Sequence, residues 1–290
     1  MLKDIIDTDA ATKLRGFSFR IPIPVKSFKV GIHKSYHKGI SPDFLEYKEY
    51  SKGDEPKHID WRLYGRLDRA YVKKFEDETK LNWYILIDCS GSMDYGINET
   101  KKFTYALRLS ATLAYLLLKQ GDLVGIAHFS DEDSVVVPPR GSLQNLISAL
   151  QRLKSLRPAG KTPFKEAIRR VLERAYPDSA FILVSDFLVD PESVNDTLKL
   201  LGAFVKETVG FHILHPEEIN FDFSGSIEFE DMESGEKVVA DASYIKSKYK
   251  EKLKEFIDRL SSIFHQNKAH YVFAPSDMPI EKVLIQIATR

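Results

Sequence analysis

Two strand-length runs, each leading into an aspartate, do most to constrain this chain. Trp83-Tyr84-Ile85-Leu86-Ile87 runs into Asp88, and Phe181-Ile182-Leu183-Val184-Ser185 runs into Asp186. Runs of this length, rich in aromatic and β-branched residues, form buried strands. From Leu81 onward such runs alternate with helical periodicity. That alternation predicts βαβ units and a mostly parallel sheet with helices on both faces, a doubly wound, Rossmann-type α/β fold. Strands are expected over 81–88, 123–129, 134–137, 180–186, 210–214 and 269–274. Helices are expected over 99–118, 143–153, 164–175, 191–205, 244–265 and 280–288.

The first part of the chain reads differently. Segments 20–30, 47–54 and 67–78 are strand-like, the first with two prolines that suit an edge. The expected organisation is a β-rich N-terminal subdomain over 1–79, packed with a hairpin insertion at 222–241, and an α/β domain over 80–290.

Open α/β sheets bind ligands at the carboxyl ends of their strands. Asp88-Cys89-Ser90-Gly91-Ser92 places a carboxylate and two hydroxyls at one such end, and Asp186 lies at another. Thr162, in the loop Gly160-Lys161-Thr162-Pro163, precedes a helical pattern and adds a third hydroxyl. An all-oxygen set of this kind suits Mg²⁺, with Mn²⁺ as the alternative. The hydroxyls would ligate directly and the two aspartates through water. Neutral ligands leave the ion electrophilic toward a carboxylate from outside.

Other readings of the same residues are weaker. The P-loop pattern needs a glycine five residues before Gly160, where Ser155 stands, and Pro163 removes an amide a phosphate would use. A cysteine phosphatase at Cys89 would need an arginine six residues on, where Tyr95 stands. A phosphoryl-accepting role for Asp88 usually needs a second carboxylate two residues later, and Ser90 is there. His33 and His37 are four apart, but Gly31 and Gly39 argue against a helix that would pair them as metal ligands. Arg62, Arg66, Arg69, Lys73 and Lys74, interleaved with Trp61, Tyr64 and Tyr71, suit single-stranded nucleic acid. The acidic residues among them favour an ordinary solvated face with Trp61 buried.

Composition narrows the class. The chain carries 42 basic and 42 acidic residues, a balance unlike that of a nucleic-acid-coating or polybasic membrane protein. Its single cysteine excludes an intramolecular disulfide and points to a reducing compartment. The start lacks a signal-peptide pattern, and the longest apolar stretch, 109–118, is too short to span a bilayer. A cytoplasmic protein is expected.

Asp88, Ser90, Ser92, Thr162 and Asp186 together resemble the metal-ion-dependent adhesion site (MIDAS) of von Willebrand factor A domains. An upstream set, Gly39, Phe44, Glu46, Tyr47, Tyr50, Gly53, Asp54, Ile59, Asp60, Trp61 and Arg66, extends the likeness. With it, the chain from about Gly31 onward resembles the bacterial and archaeal domain-of-unknown-function 58 family. Lys48 and Lys57 depart from the pattern by standing in place of arginine, which loses bidentate pairing. The resemblance implies a von Willebrand factor A-like fold and a site completed by a partner's Asp or Glu. It also implies association with MoxR-type AAA+ ATPases in chaperone-like assembly. The role of Gly53, Asp54, Asp60, Trp61 and Arg66 is not readable from the sequence beyond a domain junction. The expectation is a non-enzymatic, metal-dependent interaction adaptor. A Mg²⁺-dependent hydrolase, with Asp94 or Glu99 as base, and a nucleic-acid-binding module are the alternatives.

Overall fold

A computed structural model describes residues 5–19, 43–51, 56, 59–76, 80–129, 136–161, 163–230, 232 and 235–288, with 43–46 and 73–76 described by backbone alone. Thr162, Gly53, Asp54, His33, His37 and the expected edge strand at 20–30 lie outside these residues. The chain divides into two compact units, one of residues 1–23 with 81–290 and the other of residues 24–80.

The larger unit is built on a six-stranded sheet. Its strands are β3 (Asn82–Asp88), β4 (Leu123–Phe129), β5 (Val136–Arg140), β6 (Ala180–Ser185), β7 (Glu207–Leu214) and β10 (His270–Pro275). They lie in the order β10-β7-β6-β3-β4-β5, and only β5 runs antiparallel. This is the doubly wound, mostly parallel sheet expected from the alternating pattern. Strand β5 runs on past the expected end at 137 and contains Pro138 and Pro139, which an edge position tolerates.

Period-two alternation sends the side chains of β3 into two separate cores. Trp83, Ile85 and Ile87 pack with α1 (Thr8–Lys13), α3 (Lys102–Lys119), α4 (Leu143–Lys154) and α9 (Ile280–Leu284). Tyr84 and Leu86 pack with α5 (Phe164–Leu172), α6 (Pro191–Phe204) and α8 (Ala242–Gln266). The short helix α1 is capped by Asp7, whose carboxylate accepts from Ala10 N at 2.9 Å. Ile5, Ile6, Ala10 and Leu14 are buried in the first of these cores.

Between β7 and α8 the chain makes a short helix, α7 (Pro216–Asn220), and a separate hairpin of β8 (Ser226–Glu230) and β9 (Lys237–Asp241). The hairpin was legible from Ser234-Gly235; α7 was not. Aromatic packing anchors the hairpin: Phe221 lies 5.8 Å from Phe229 and 4.6 Å from Tyr249 of α8, measured between ring centres.

The smaller unit contains an antiparallel pair, β1 (Asp43–Glu49) and β2 (Tyr71–Glu76), joined through α2 (Trp61–Leu67). The strand expected over 67–78 is present as β2 and starts later, at Tyr71, after α2 ends at Leu67. Asp60 caps it, its Oδ1 accepting from Arg62 N at 3.0 Å and Leu63 N at 3.2 Å. Asp68 ends it in the left-handed conformation at φ 52°.

Candidate metal centre

The sheet order decides where a ligand would sit. From β3 the chain crosses to β4 on one side, while β6, β7 and β10 build outward on the other. The switch point lies between the carboxyl ends of β3 and β6, which pair in register through Ile87 and Val184. Asp88 closes β3 and Asp186 directly follows β6, so the two aspartates flank that crevice.

Beyond Asp88 the backbone tightens into a single 3₁₀ turn, Gly91–Asp94. Asp88 organises the entry to it. Its Oδ1 accepts from Ser90 N at 2.8 Å and its Oδ2 accepts from Ser185 Oγ at 2.5 Å. The hydroxyls of Ser90 and Ser92 face one another at 3.1 Å. Loop 156–161 braces the turn from the side, with Ala159 N donating to Cys89 O at 3.0 Å and Gly91 N to Gly160 O at 2.9 Å. Gly91 has no room for a side chain: a Cβ there would stand 2.6 Å from the Met232 carbonyl oxygen, in the link between β8 and β9.

Four of the five expected ligands therefore converge: Asp88, Ser90, Ser92 and Asp186. The fifth, Thr162, lies outside the described residues. Cys89 is buried, and burial pushes its thiol well above the ordinary range, as befits a packing residue rather than a nucleophile.

Sequence reasoning missed the cation already present. Lys102, in the first turn of α3, is wholly buried, and its ammonium bonds Asp186 Oδ2 at 2.8 Å and Glu218 Oε1 at 2.8 Å. Burial by itself would lower the pKa of this amine; Asp186 and Glu218 outweigh it and raise it. Burial likewise pushes the Asp186 carboxyl upward, but Lys102 and the Ser92 hydroxyl outweigh that and hold it below the ordinary range. The signal was periodicity. Lys102 shares its face with Ala106, Leu109 and Leu113, all buried, so a lysine in that register must meet carboxylates. Glu218 comes from α7, where its Oε2 also accepts from His215 N at 2.7 Å. Ser185, which fixes Asp88, was read only as part of a strand.

The electrostatics leave one group without a counter-charge. Asp88 accepts from neutral donors, and burial, then Asp186, push its carboxyl up to about 7. Lys102 is shared by the other two carboxylates. Among the described residues no group of three or more His, Cys, Asp or Glu side chains is arranged to hold a metal. The fit to a cation thus depends on the hydroxyls. A buried, uncompensated Asp88 beside the paired Ser90 and Ser92 hydroxyls fits a hard divalent ion of the Mg²⁺ type.

The family described as "Protein of unknown function DUF58" matches residues 46–256. The chain belongs to the DUF58 family. No curated protein shows a significant match to it. Similar solved structures include BatB from Bacteroides thetaiotaomicron, with 17% identity, a TM-score of 0.47, and coverage of 71% of this chain and 96% of BatB. An aerotolerance-related membrane protein from Bacteroides fragilis, in a form with multiple mutations to serines, gives 18%, 0.48, 71% and 96%. The SpRpn10 VWA domain gives 16%, 0.41, 71% and 94%.

In the smaller unit of this DUF58 chain, part of the upstream signature has a visible structural role. Asp60 caps α2 and also accepts from the Tyr47 hydroxyl at 3.0 Å. Trp61 is 66% exposed, contrary to the buried position expected of it, because the two-turn helix that Asp60 starts buries none of its residues. Arg62, Arg66 and Arg69 are exposed beside it. Among the described residues, no helix is long and apolar enough to cross a membrane.

Proposed function

We propose that this DUF58 chain is a non-enzymatic adaptor that binds an acidic residue of a partner protein through a divalent cation. Asp88, Ser90, Ser92 and Asp186 would hold the ion, with Thr162 added by the resemblance to adhesion-type sites. Mg²⁺ is the expected ion, and Mn²⁺ meets the same donor set. The ion supplies an electrophilic position for an incoming carboxylate; the chain supplies the rigid turn and the neutral hydroxyls.

The observation that carries this reading is the state of Asp88. It is 4% exposed, it receives only neutral donors, and it lies at the sheet's switch point. Burying a carboxylate without a counter-charge is costly. A bound cation would remove that cost, and Asp88 would then be ionised at neutral pH.

The resemblance suggests a MoxR-type AAA+ ATPase, or a client of one, as the partner, in the cytoplasm. Calorimetric titration with Mg²⁺ and Mn²⁺ tests the ion: wild type is expected to bind and Asp88→Ala to lose binding. Equal binding by both would remove the ligand assignment. Affinity capture from lysate, with Mg²⁺ or with EDTA, tests the partner. Retention of an AAA+ ATPase by wild type only, and only with metal, is the expected result. Retention that ignores both EDTA and Asp88→Ala would move the interface elsewhere.

A further inference from the structure

Beside the metal turn is a cavity of about 230 Å³ that the reading above does not use. Phe103, Leu107 and Leu156 give it an apolar floor, and Thr104 stands in its wall. Its volume falls below the ~300–1,000 Å³ typical of sites for cofactors or small molecules. One large apolar side chain fits it better than a free ligand does.

The mouth is basic. Lys101 is engaged by Asp94 at 2.6 Å, and Arg108 by Asp7 at 3.2 Å. Lys154 and Arg157 also line the cavity, are exposed, and make no ion pair among the described residues. Lys154 ends α4, where a cation also suits the helix dipole. Arg157 lies beyond the helix and has no such explanation.

The cavity is continuous with the metal turn. Asp94, on its wall, is the last residue of the 3₁₀ turn that carries Ser92. Pro158, also in its lining, leads into Ala159 and Gly160, which bond Cys89 and Gly91. A short peptide lying across the turn would reach both places.

We infer that the partner segment is an acidic peptide with an apolar anchor. One carboxylate completes the cation's shell, a neighbouring Leu- or Phe-sized side chain enters the 230 Å³ cavity, and a further carboxylate pairs with Arg157 and Lys154. The inference rests on the metal-dependent adaptor reading but adds a contact that needs no metal. An anchored side chain in a pocket, ringed by polar contacts, is the usual way a small interface gains specificity. The basic rim selects the charge of the segment and speeds encounter.

Labelled peptides of the form Glu-Asp-X-Asp-Glu, with X as Leu, Phe, Ala or Ser, test this by fluorescence anisotropy in Mg²⁺ and in EDTA. Wild type is expected to prefer Leu or Phe over Ser by about tenfold, as burial of one large apolar side chain allows. Thr104→Phe, which fills the cavity, should abolish that preference while leaving Mg²⁺ dependence. The double charge reversal Lys154→Glu with Arg157→Glu, at exposed positions that spare the core, should weaken every acidic peptide. Binding that depends on Mg²⁺ but ignores X and both variants overturns the anchor inference and leaves the metal reading standing. A preference for X that survives EDTA, with no effect of Mg²⁺, supports the anchor and overturns the metal reading. Failure of all four peptides to bind overturns the inference.

Discussion

Lys102 donates to Asp186 at 2.8 Å from a position with no side-chain exposure. The same ammonium holds Glu218 of α7, so one buried cation ties the end of β6 to the segment that leads into the hairpin. A lysine at a helix N-terminus opposes the helix dipole, and one that is also buried needs anionic partners. Here those partners include an aspartate at the switch point of the sheet.

Removing that cation should be costly. Lys102→Met keeps the bulk but strands two carboxylates, and a loss of about 3–5 kcal/mol is expected from breaking a buried pair on one side. Urea unfolding checks it. If the metal reading holds, saturating Mg²⁺ should raise the melting temperature of the variant more than that of wild type.

Glu207 gives the molecule a pH dependence away from the candidate centre. It is 9% exposed at the start of β7, and burial pushes its carboxyl up to about 7. Its folded pKa therefore lies above the unfolded value of 4.5. The folded state binds the extra proton, so the contribution to stability is complete below pH 4.5 and is lost as pH rises through about 7. Glu207→Gln should flatten this part of the stability profile and be more stable than wild type at pH values above that window. Chemical denaturation across the range measures the slope.

Gly91→Ala should disturb the hairpin. The added methyl would meet the Met232 carbonyl at 2.6 Å, so the turn or the β8–β9 link must move. Overpacking of this kind costs ~1–3 kcal/mol. Limited proteolysis is expected to cut the variant faster within 226–241 while the sheet remains protected. An unchanged digestion pattern would mean that the turn yields instead.

Asp60→Ala should fray α2 in the smaller unit. The variant loses two bonds to backbone amides and one from Tyr47, for a cost of about 1–2 kcal/mol. Tyr47→Phe removes only the hydroxyl bond and should cost less. Comparing the two by thermal unfolding separates the cap from the tyrosine contact.

The fold of the larger unit was legible because its strands are buried on both faces and therefore unbroken in hydrophobicity. Tyr84 and Trp83 face opposite cores, yet both are apolar, so the run reads as a central strand. Asp88 and Asp186 were legible for the same reason: each interrupts apolar chain where a parallel strand ends. Lys102 was hidden inside a long, otherwise ordinary helix, and only its register with the buried face marked it. Glu218 was hidden because α7 is five residues long, too short for periodicity to reveal. Helix α2 was missed because it is only seven residues long and holds Gly65, so the helical spacing of Trp61, Tyr64 and Leu67 was too short to stand out.

The candidate centre also has a place in time. The bond from Ser185 to Asp88 spans 97 residues of chain, and that from Lys102 to Glu218 spans 116. Contacts of such sequence separation close late, since each must overcome the entropy of a long loop. The centre is therefore finished only after β6 and α7 have docked. During synthesis it cannot exist until Glu218 has left the ribosome. A cation that binds here recognises the finished fold and secures it by mass action, without guiding the chain toward it.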